Sequence, residues 1–251
     1  MTKDAMPLME HIGELRKRVL WSIIFFVLAA IIGLVAAVPI IEYLTNVEPI
    51  KGTELNAFSP WDAIRIYMNV AIFVGLVLSL PFILFQVWLF VKPGLKERER
   101  SASLSYIPGA FALFLIGIAF AYFVVFPLAF YFTNFMTKQM GLTETYGLAN
   151  YFSFMFNIVV PVSLLFELPV VVMFLTKLRI LNPKLLSKFR RYAYLILLIL
   201  SSLITPPDII SDLLVVVPMI VLYEISILLS RRIHKRQLAA DQAWEAEYGA
   251  K

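Results

Sequence analysis

Residues 80–100 read LPFILFQVWLFVKPGLKERER, an apolar run that passes abruptly into a charged segment. The run up to residue 91 contains no charged side chain, whereas residues 92–100 contain four basic and two acidic residues. Pro93 and Gly94 lie at the transition, where both disfavour continuation of a helix. This pattern is typical of a membrane-spanning helix that ends at the bilayer surface and leads into a connection between two spans.

The composition of the whole chain agrees with this interpretation. The 251 residues are 61% hydrophobic and 16% charged, whereas soluble proteins average about 45–50% apolar and about 25% charged residues. We therefore predict an integral membrane protein. The sequence has no Cys and only two His, and it contains no nucleotide-binding loop and no nucleophile–base motif. These absences predict a protein that is not an enzyme, carries no metal or cofactor and binds no nucleic acid.

Six apolar stretches predict an all-α fold with six transmembrane helices. They comprise residues 19–38, 69–91, 106–130, 151–176, 192–205 and 213–229. The first four approach or exceed the roughly 20 residues that a spanning helix needs, whereas the last two are shorter. The brief PPDIIS linker between those two indicates a short helical hairpin that crosses and returns. We expect residues 1–230 to form one membrane domain and residues 231–251 to form a cytoplasmic tail.

The distribution of basic residues predicts the orientation. Of the 22 Lys and Arg residues, only Lys51, Arg65 and Lys138 lie in the first and second outer loops. All others lie in the N-terminal segment, the second and fourth connections and the C-terminal tail. The positive-inside rule therefore places both termini in the cytoplasm, which requires an even number of spans.

Two local features predict details of the helices. In the first outer loop, Ser59 is a plausible N-cap for an interfacial helix that leads into the second span. Prolines inside the apolar stretches predict bends, because each removes a backbone donor. They are Pro81, Pro108, Pro127, Pro161, Pro169 and Pro218.

Two carboxylates flank the membrane on the predicted cytoplasmic side, at Glu14 and Glu99. A carboxylate can accept two parallel hydrogen bonds from an Arg guanidinium, a geometry that Lys does not match. These positions therefore suit a ligand with paired arginines. The alternative is structural: Glu14 and Arg18 are spaced i,i+4 and can form an ion pair worth about 0.3–0.5 kcal/mol on one helix.

Polar residues within the apolar stretches form a second group of candidates. Glu167 lies near the middle of the fourth stretch, where an ionisable side chain is costly and usually functional. A protonated acid bonded to a neighbouring helix is the structural alternative. Gln86 is interpreted as an amide that joins helices. Glu224 lies nearer the cytoplasmic end, where it is expected to reach Arg231 or water and to be structural.

The tip of the predicted hairpin, SSLITPPDIISD, is polar. Hydrogen-bonding groups are offered to a partner helix by Ser201, Ser202, Thr205 and Asp212. Ordinary capping of the hairpin by Asp208 or Asp212 is the alternative.

Six segments of the sequence resemble, in order, those of the TatC family, the multi-span receptor subunits of the twin-arginine protein translocase. They are PLMEHIGELRKRV, LPFILFQVWLFVKPGLKERER, IAFAYFVVFPLAF, FELPVV, LITPPDIISD and VPMIVLYEISI. The resemblance implies six tilted helices in a concave, cupped-hand arrangement in the inner membrane of a prokaryote. It also implies that the protein binds the twin-arginine signal peptides of folded precursors, whose export the proton-motive force drives.

The resemblance further implies roles for individual residues. Glu14 and Glu99 match the acidic positions that contact the arginine pair, and the same patch includes Arg16, Phe90, Pro93 and Leu95. Pro49 matches a functional proline of the first outer loop, and Glu167 matches a buried polar residue of the concave face.

The resemblance also implies partners. The fifth and sixth spans match the docking face for single-span subunits of the TatA and TatB type, and self-association within the bilayer is expected. Relatives tend to carry an uncharged amide where this chain has Asp212. Two other functions remain open from the residues themselves. Glu167 would suit a proton-coupled transporter of a small solute, and a scaffold without a ligand would need none of these acidic groups.

Overall fold

The computed structural model describes residues 8–47, 49–50, 56–94, 100, 104, 106–142, 145–205 and 209–248. Within these residues the only β pairing is an isolated bridge between Asn56 and Gly147, so the predicted all-α class is confirmed. The helices are α1 (Leu8–Thr45), α2 (Asp62–Val91), α3 (Tyr106–Phe120), α4 (Phe126–Gln139), α5 (Leu148–Leu165), α6 (Leu168–Lys177), α7 (Pro183–Lys188), α8 (Arg190–Ile204) and α9 (Ile209–Tyr248).

In the part of the chain that the structure describes, five helical stretches are long and apolar enough to cross a membrane. They are Ile12–Thr45, Asp62–Gly94, Tyr106–Gln139, Leu148–Lys177 and Ile210–Ala239. Helix α8, which contains most of the predicted fifth span, has 15 residues. At 1.5 Å per residue it is about 22 Å long, against a hydrocarbon core of about 30 Å. The fifth predicted span is therefore short, whereas α9 extends well beyond the predicted sixth.

Two prolines lie where their helices are interrupted, whereas the sequence predicts bends at these positions. Pro127 has no N–H to donate to the carbonyl of Phe123, and the preceding turn, Ala121–Val125, is a π-helix between α3 and α4. Pro169 likewise leaves the carbonyl of Leu165 without an intrahelical donor, and α5 ends at Leu165. Pro81, Pro161 and Pro218 lie within helices that continue through them.

The beginning of α2 differs from the sequence prediction. The helix begins at Asp62 rather than directly after Ser59, so the predicted Ser59 N-cap is wrong. The Asp62 carboxylate instead accepts hydrogen bonds from the backbone N–H groups of Phe58 and Ser59, at 2.8 and 3.0 Å. An acidic residue in the first turn thus fixes the loop that precedes the helix.

The chain divides into two compact units, the first of which comprises Met1–Lys96 and Thr143–Phe156. Its centre is the antiparallel pair α1 and α2, which approach closely at small residues. A Cβ atom added to Gly33 would lie 2.7 Å from the backbone oxygen of Ala71, and one added to Gly75 would lie 3.0 Å from Cα of Ala30. Small residues let helix backbones approach in a bilayer, where dispersion forces and hydrogen bonds drive association.

The second unit comprises Glu97–Leu142 and Asn157–Lys251. Helix α9 packs along α6 and α8, and its contact with α6 includes a buried hydrogen bond between Thr176 and Ser230. Residues 231–248, which belong to the predicted tail, continue α9 without interruption. In this part Gln237 donates to the carbonyl of Lys177 at 2.9 Å, so the continuation packs against the end of α6.

Candidate functional site: a carboxylate, a guanidinium and an amide

Glu14 lies in α1, about two helical turns after the helix begins at Leu8. The Arg18 Nη2 atom donates to Glu14 Oε1 at 3.1 Å, so the ion pair predicted from the i,i+4 spacing is confirmed. The Glu14 side chain keeps 22% of its surface exposed. The carboxylate is therefore accessible to a ligand, but it already has a cationic neighbour in its own helix.

Arg18 connects Glu14 to the second helix of this unit. Its Nη1 atom donates to Oε1 of Gln86 at 3.3 Å, across 68 positions of sequence. The Gln86 residue is 6% exposed, so the predicted role as an amide that joins helices is supported by a specific contact between α1 and α2. Arg18 was not among the predicted site residues. Its spacing from Glu14 was the only signal in the sequence, and that spacing does not reveal Gln86.

An apolar cavity of about 300 Å³ lies between α1 and α2 beside this polar network. Arg18 and Gln86 are its main polar lining residues, and Phe90 also lines it. Apolar side chains complete the lining, among them Leu15, Val19, Ile83 and Val87. The arrangement thus places a carboxylate, a guanidinium and an amide next to a groove that suits an apolar segment.

The other residues predicted for this patch are only partly brought together. Arg16 is exposed on α1, and Pro93 is exposed in the 3₁₀ turn Lys92–Gly94 that follows α2. Phe90 joins Arg18 and Gln86 in lining the cavity. Glu99 and Leu95 lie outside the described residues. Pro49 is half-buried in the loop after α1, and the adjacent Ile50 is fully buried.

Glu167 occupies the break between α5 and α6 and is 7% exposed. Both of its carboxylate oxygens are buried without a hydrogen-bond partner among the described residues. Its neighbour in sequence, Phe166, packs against Phe120 with ring centroids 5.5 Å apart. The structural alternative, an acid bonded to a neighbouring helix, thus finds no support in the described residues.

The predicted hairpin tip forms a polar cluster between α8 and α9. The Asp212 carboxylate accepts a short hydrogen bond from Ser201 and a second from Ser202 at 3.1 Å. Thr205 is buried and donates to the carbonyl of Ser201 at 3.0 Å. Ser202 remains exposed, whereas Asp208 lies outside the described residues.

Glu224 makes contacts that the sequence did not predict. It accepts hydrogen bonds from Arg190 at 2.7 Å and from Tyr194 at 2.5 Å. Of the two partners that the sequence suggested, Arg231 or water, Arg231 bonds Ser187 at 3.0 Å instead, and the contacts found give Glu224 the structural role expected of it. Arg190 lies one turn before Tyr194 on α8, which positions both side chains to meet Glu224. Among the described residues no group of three or more His, Asp or Glu side chains is placed to hold a metal ion.

Residues 10–218 match the family model of TatC, described as the Sec-independent protein translocase protein. Two curated relatives extend the similarity to nearly the whole chain. The TatC protein of Halalkalibacterium halodurans is 44% identical over 248 residues, which are 99% of this chain and 98% of the relative. The TatCy protein of Bacillus subtilis is 43% identical over 236 residues, which are 94% of this chain and 93% of the relative.

A solved structure is similar as well. The crystal structure of a twin-arginine translocase receptor, TatC, in the detergent DDM superposes with a TM-score of 0.76 at 33% identity. The superposition covers 88% of this chain and 99% of the receptor. The similarity in sequence and the similarity in fold thus concern the same family.

Proposed function

This chain belongs to the TatC family of Sec-independent protein translocase proteins, and from this premise we propose that it binds twin-arginine signal peptides through Glu14. As a member of that family the chain is a receptor component of the twin-arginine translocase, a multi-pass membrane protein rather than an enzyme.

The observation that carries this proposal is the partly exposed Glu14 carboxylate at the charged end of an otherwise apolar helix. Its existing bond to Arg18 supports the proposal, because it demonstrates that a guanidinium fits at this carboxylate. A carboxylate and a guanidinium form charge-assisted hydrogen bonds that are roughly twice as strong as neutral ones. A signal peptide with two adjacent arginines would thus find one acceptor at Glu14.

Glu99 is the second acceptor in this proposal, because one carboxylate cannot pair with both arginines in the bidentate manner. Arg16, Pro93 and Leu95 belong to the same patch by resemblance to the family. The apolar segment of the signal peptide would follow the cavity between α1 and α2, which Arg18 and Phe90 both line.

This arrangement requires both termini in the cytoplasm of a prokaryote, with the protein in the inner membrane. The distribution of Lys and Arg supports that orientation. A precursor reaches the receptor from the side on which it was synthesised, so a binding patch made of Glu14 and Glu99 has to face the cytoplasm.

Single-span partner subunits would dock at α8 and α9, where Ser202, Thr205 and Asp212 supply polar groups. Pro49 and Glu167 would contribute to the outer loop and to an intramembrane polar contact, respectively. Because the sequence contains no nucleotide-binding loop, the free energy for export would come from the proton-motive force, as the family implies.

Charge reversal tests the two acceptors. We expect Glu14→Lys and Glu99→Lys each to reduce site-specific crosslinking of a twin-arginine signal peptide to the receptor in membranes. The matched control is Glu42→Lys, because Glu42 is an exposed carboxylate near the opposite end of α1, about 42 Å away along the helix. Crosslinking that is unchanged in both Glu14→Lys and Glu99→Lys would contradict the assignment of these two carboxylates.

A further inference from the structure

Arg18 divides its hydrogen bonds between two acceptors on different helices. Nη2 bonds Glu14 and Nη1 bonds Gln86, at 3.1 and 3.3 Å. The third nitrogen, Nε, is buried and has no partner among the described residues. The guanidinium therefore gives Glu14 only one hydrogen bond, although the group is built to give a carboxylate two.

A ligand guanidinium can bind Glu14 more favourably than Arg18 does. A bidentate pair adds a second charge-assisted hydrogen bond to the single bond that Arg18 offers. When a ligand displaces Arg18 from Glu14, the Arg18 side chain can keep its hydrogen bond to Gln86, because that bond does not involve Glu14. A ligand arginine can thus replace Arg18 as the donor to Glu14 while the Arg18 guanidinium stays nearby, bound to Gln86.

We propose that Arg18 acts as an internal competitor that occupies Glu14 until a ligand arginine displaces it, and so sets the affinity threshold of the receptor. This inference rests on the proposed role of Glu14. Because the same internal bond must break whichever ligand enters, Arg18 lowers the affinity for every cationic ligand by the same factor. A ligand that pairs weakly with Glu14, such as one with lysines, then falls below the threshold.

Gln86, on α2, limits how strongly Arg18 can bind Glu14. Its amide oxygen holds Nη1 and keeps Arg18 from turning both terminal nitrogens towards Glu14. Removing the amide while conserving the volume would free Arg18 to form the bidentate pair with Glu14. The internal competitor would then become stronger. Changes at Arg18 and at Gln86 are therefore expected to shift ligand affinity in opposite directions.

The test measures binding of two labelled signal peptides to the purified full-length receptor in detergent, by fluorescence anisotropy. One peptide carries the Arg-Arg pair and the other carries Lys-Lys at the same positions. We expect Arg18→Gln to tighten binding of both peptides by a similar factor, roughly two- to fivefold, the equivalent of losing one partly exposed ion pair. We expect Gln86→Met to weaken both.

Lys17→Gln is the matched control, because it removes one positive charge from the same turn of α1 at an exposed position. Any tightening that it causes measures the general electrostatic effect on a cationic peptide, and Arg18→Gln has to exceed it. In the Glu14→Gln background the effect of Arg18→Gln should fall to that of Lys17→Gln, since the neutral amide offers neither guanidinium a charged acceptor.

The outcomes separate this inference from the proposed function. Suppose that Glu14→Gln weakens peptide binding, as the proposed function requires. If Arg18→Gln then weakens binding, or tightens it no more than Lys17→Gln does, Arg18 is a positioning residue and the proposed competition is refuted. If Glu14→Gln leaves binding unchanged, the proposed role of Glu14 fails as well. Thermal unfolding of each variant establishes whether it is folded, and Gln86→Met gives an independent result with the opposite sign.

Discussion

The hydroxyl groups of Thr176 and Ser230 lie 2.7 Å apart, in a contact between α6 and α9 where both residues are fully buried. Thr176 also donates to the carbonyl of Val172 at 2.8 Å. A hydroxyl has a single proton, so Ser230 is the donor in the contact between the helices and Thr176 is the acceptor. One side-chain hydrogen bond thus joins α6 to α9 at a position without access to water.

Thr176→Val should lower the free energy of unfolding by about 0.6 kcal/mol, and by no more than about 1.7 kcal/mol, the average and the maximum measured for hydrogen bonds between membrane helices. Valine nearly conserves the shape of threonine but removes the acceptor, so the hydroxyl of Ser230 loses its partner on α6. Unfolding of the detergent-solubilised protein by heat or denaturant measures the difference. Ser230→Ala should cost less, because Thr176 keeps its bond to Val172. Equal stability of Thr176→Val and the parent chain would contradict the role given to this bond.

Gly33→Ala should destabilise the first unit by about 1–3 kcal/mol, the usual cost of overpacking. The added methyl group would lie 2.7 and 2.9 Å from backbone atoms of Ala71, which cannot rotate away, so α1 and α2 would have to separate. Gly109→Ala in α3 is the matched control, because among the described residues no heavy atom outside the adjoining part of its own helix lies within 4 Å of its added Cβ. That control should be neutral or stabilising by up to about 1 kcal/mol. Similar thermal unfolding curves for the two variants would refute the close approach of α1 and α2.

Much of the local structure follows from the sequence, because the bilayer imposes strong constraints on short segments. A spanning segment has to pair the N–H and C=O groups of its own backbone, so each long apolar stretch predicts a helix. Each of these stretches is helical in the structure. Pro127 and Pro169 predict a local disturbance of the helix, given above as a bend, because a missing N–H acts on the adjacent turn whatever the tertiary structure. Both helices are interrupted there. The Glu14–Arg18 pair follows for the same reason, since its i,i+4 spacing is a property of one helix.

The contacts that complete the candidate site could not be predicted in this way. Gln86 meets Arg18 across 68 positions, and Arg190 meets Glu224 across 34. Each helix has several polar side chains that could make such contacts, and the rotation and tilt of neighbouring helices decide which of them meet. A single sequence does not specify those angles. Glu224 illustrates the difficulty, because Arg231 was the nearer base in sequence but does not contact it.

Glu167→Leu should raise the free energy of unfolding by about 1–3 kcal/mol while it reduces export of twin-arginine precursors. The stability gain follows because both carboxylate oxygens are buried without partners, and leucine removes an unsatisfied polar group of similar size. Loss of activity would follow if this group provides the intramembrane polar contact proposed for it. Thermal unfolding in detergent and export in cells that lack the native gene measure the two effects.

Glu167→Gln is the control for this pair of effects. The amide is polar but uncharged, so it should gain less stability than leucine and retain more export. If Glu167→Leu supports export as well as the parent chain, Glu167 has no intramembrane role in transport. If it unfolds at a lower temperature, the carboxylate has a stabilising partner in the native protein.

Arg179→Ala should destabilise the end of α6 more than Arg179→Gly does, by about 1 kcal/mol. Arg179 has φ of 62°, a left-handed conformation that costs a non-glycine residue roughly 1–2 kcal/mol. Its guanidinium bonds both carboxylate oxygens of Asp241 in α9, at 2.7 and 2.9 Å. Alanine loses the ion pair and keeps the strain, whereas glycine loses the ion pair and relieves the strain.

Asp241→Asn separates the contribution of the ion pair from that of the left-handed backbone, because it removes the ion pair and leaves the backbone of Arg179 unchanged. Both side chains are partly exposed, so this change should cost only about 0.2–1 kcal/mol. Limited proteolysis within residues 231–248 measures local opening of the continuation of α9, and thermal unfolding measures the whole chain. Faster cleavage in Asp241→Asn would establish that the ion pair holds this segment against the end of α6. Equal cleavage, together with equal stability of the alanine and glycine variants, would show that neither the ion pair nor the left-handed residue determines how α9 is held.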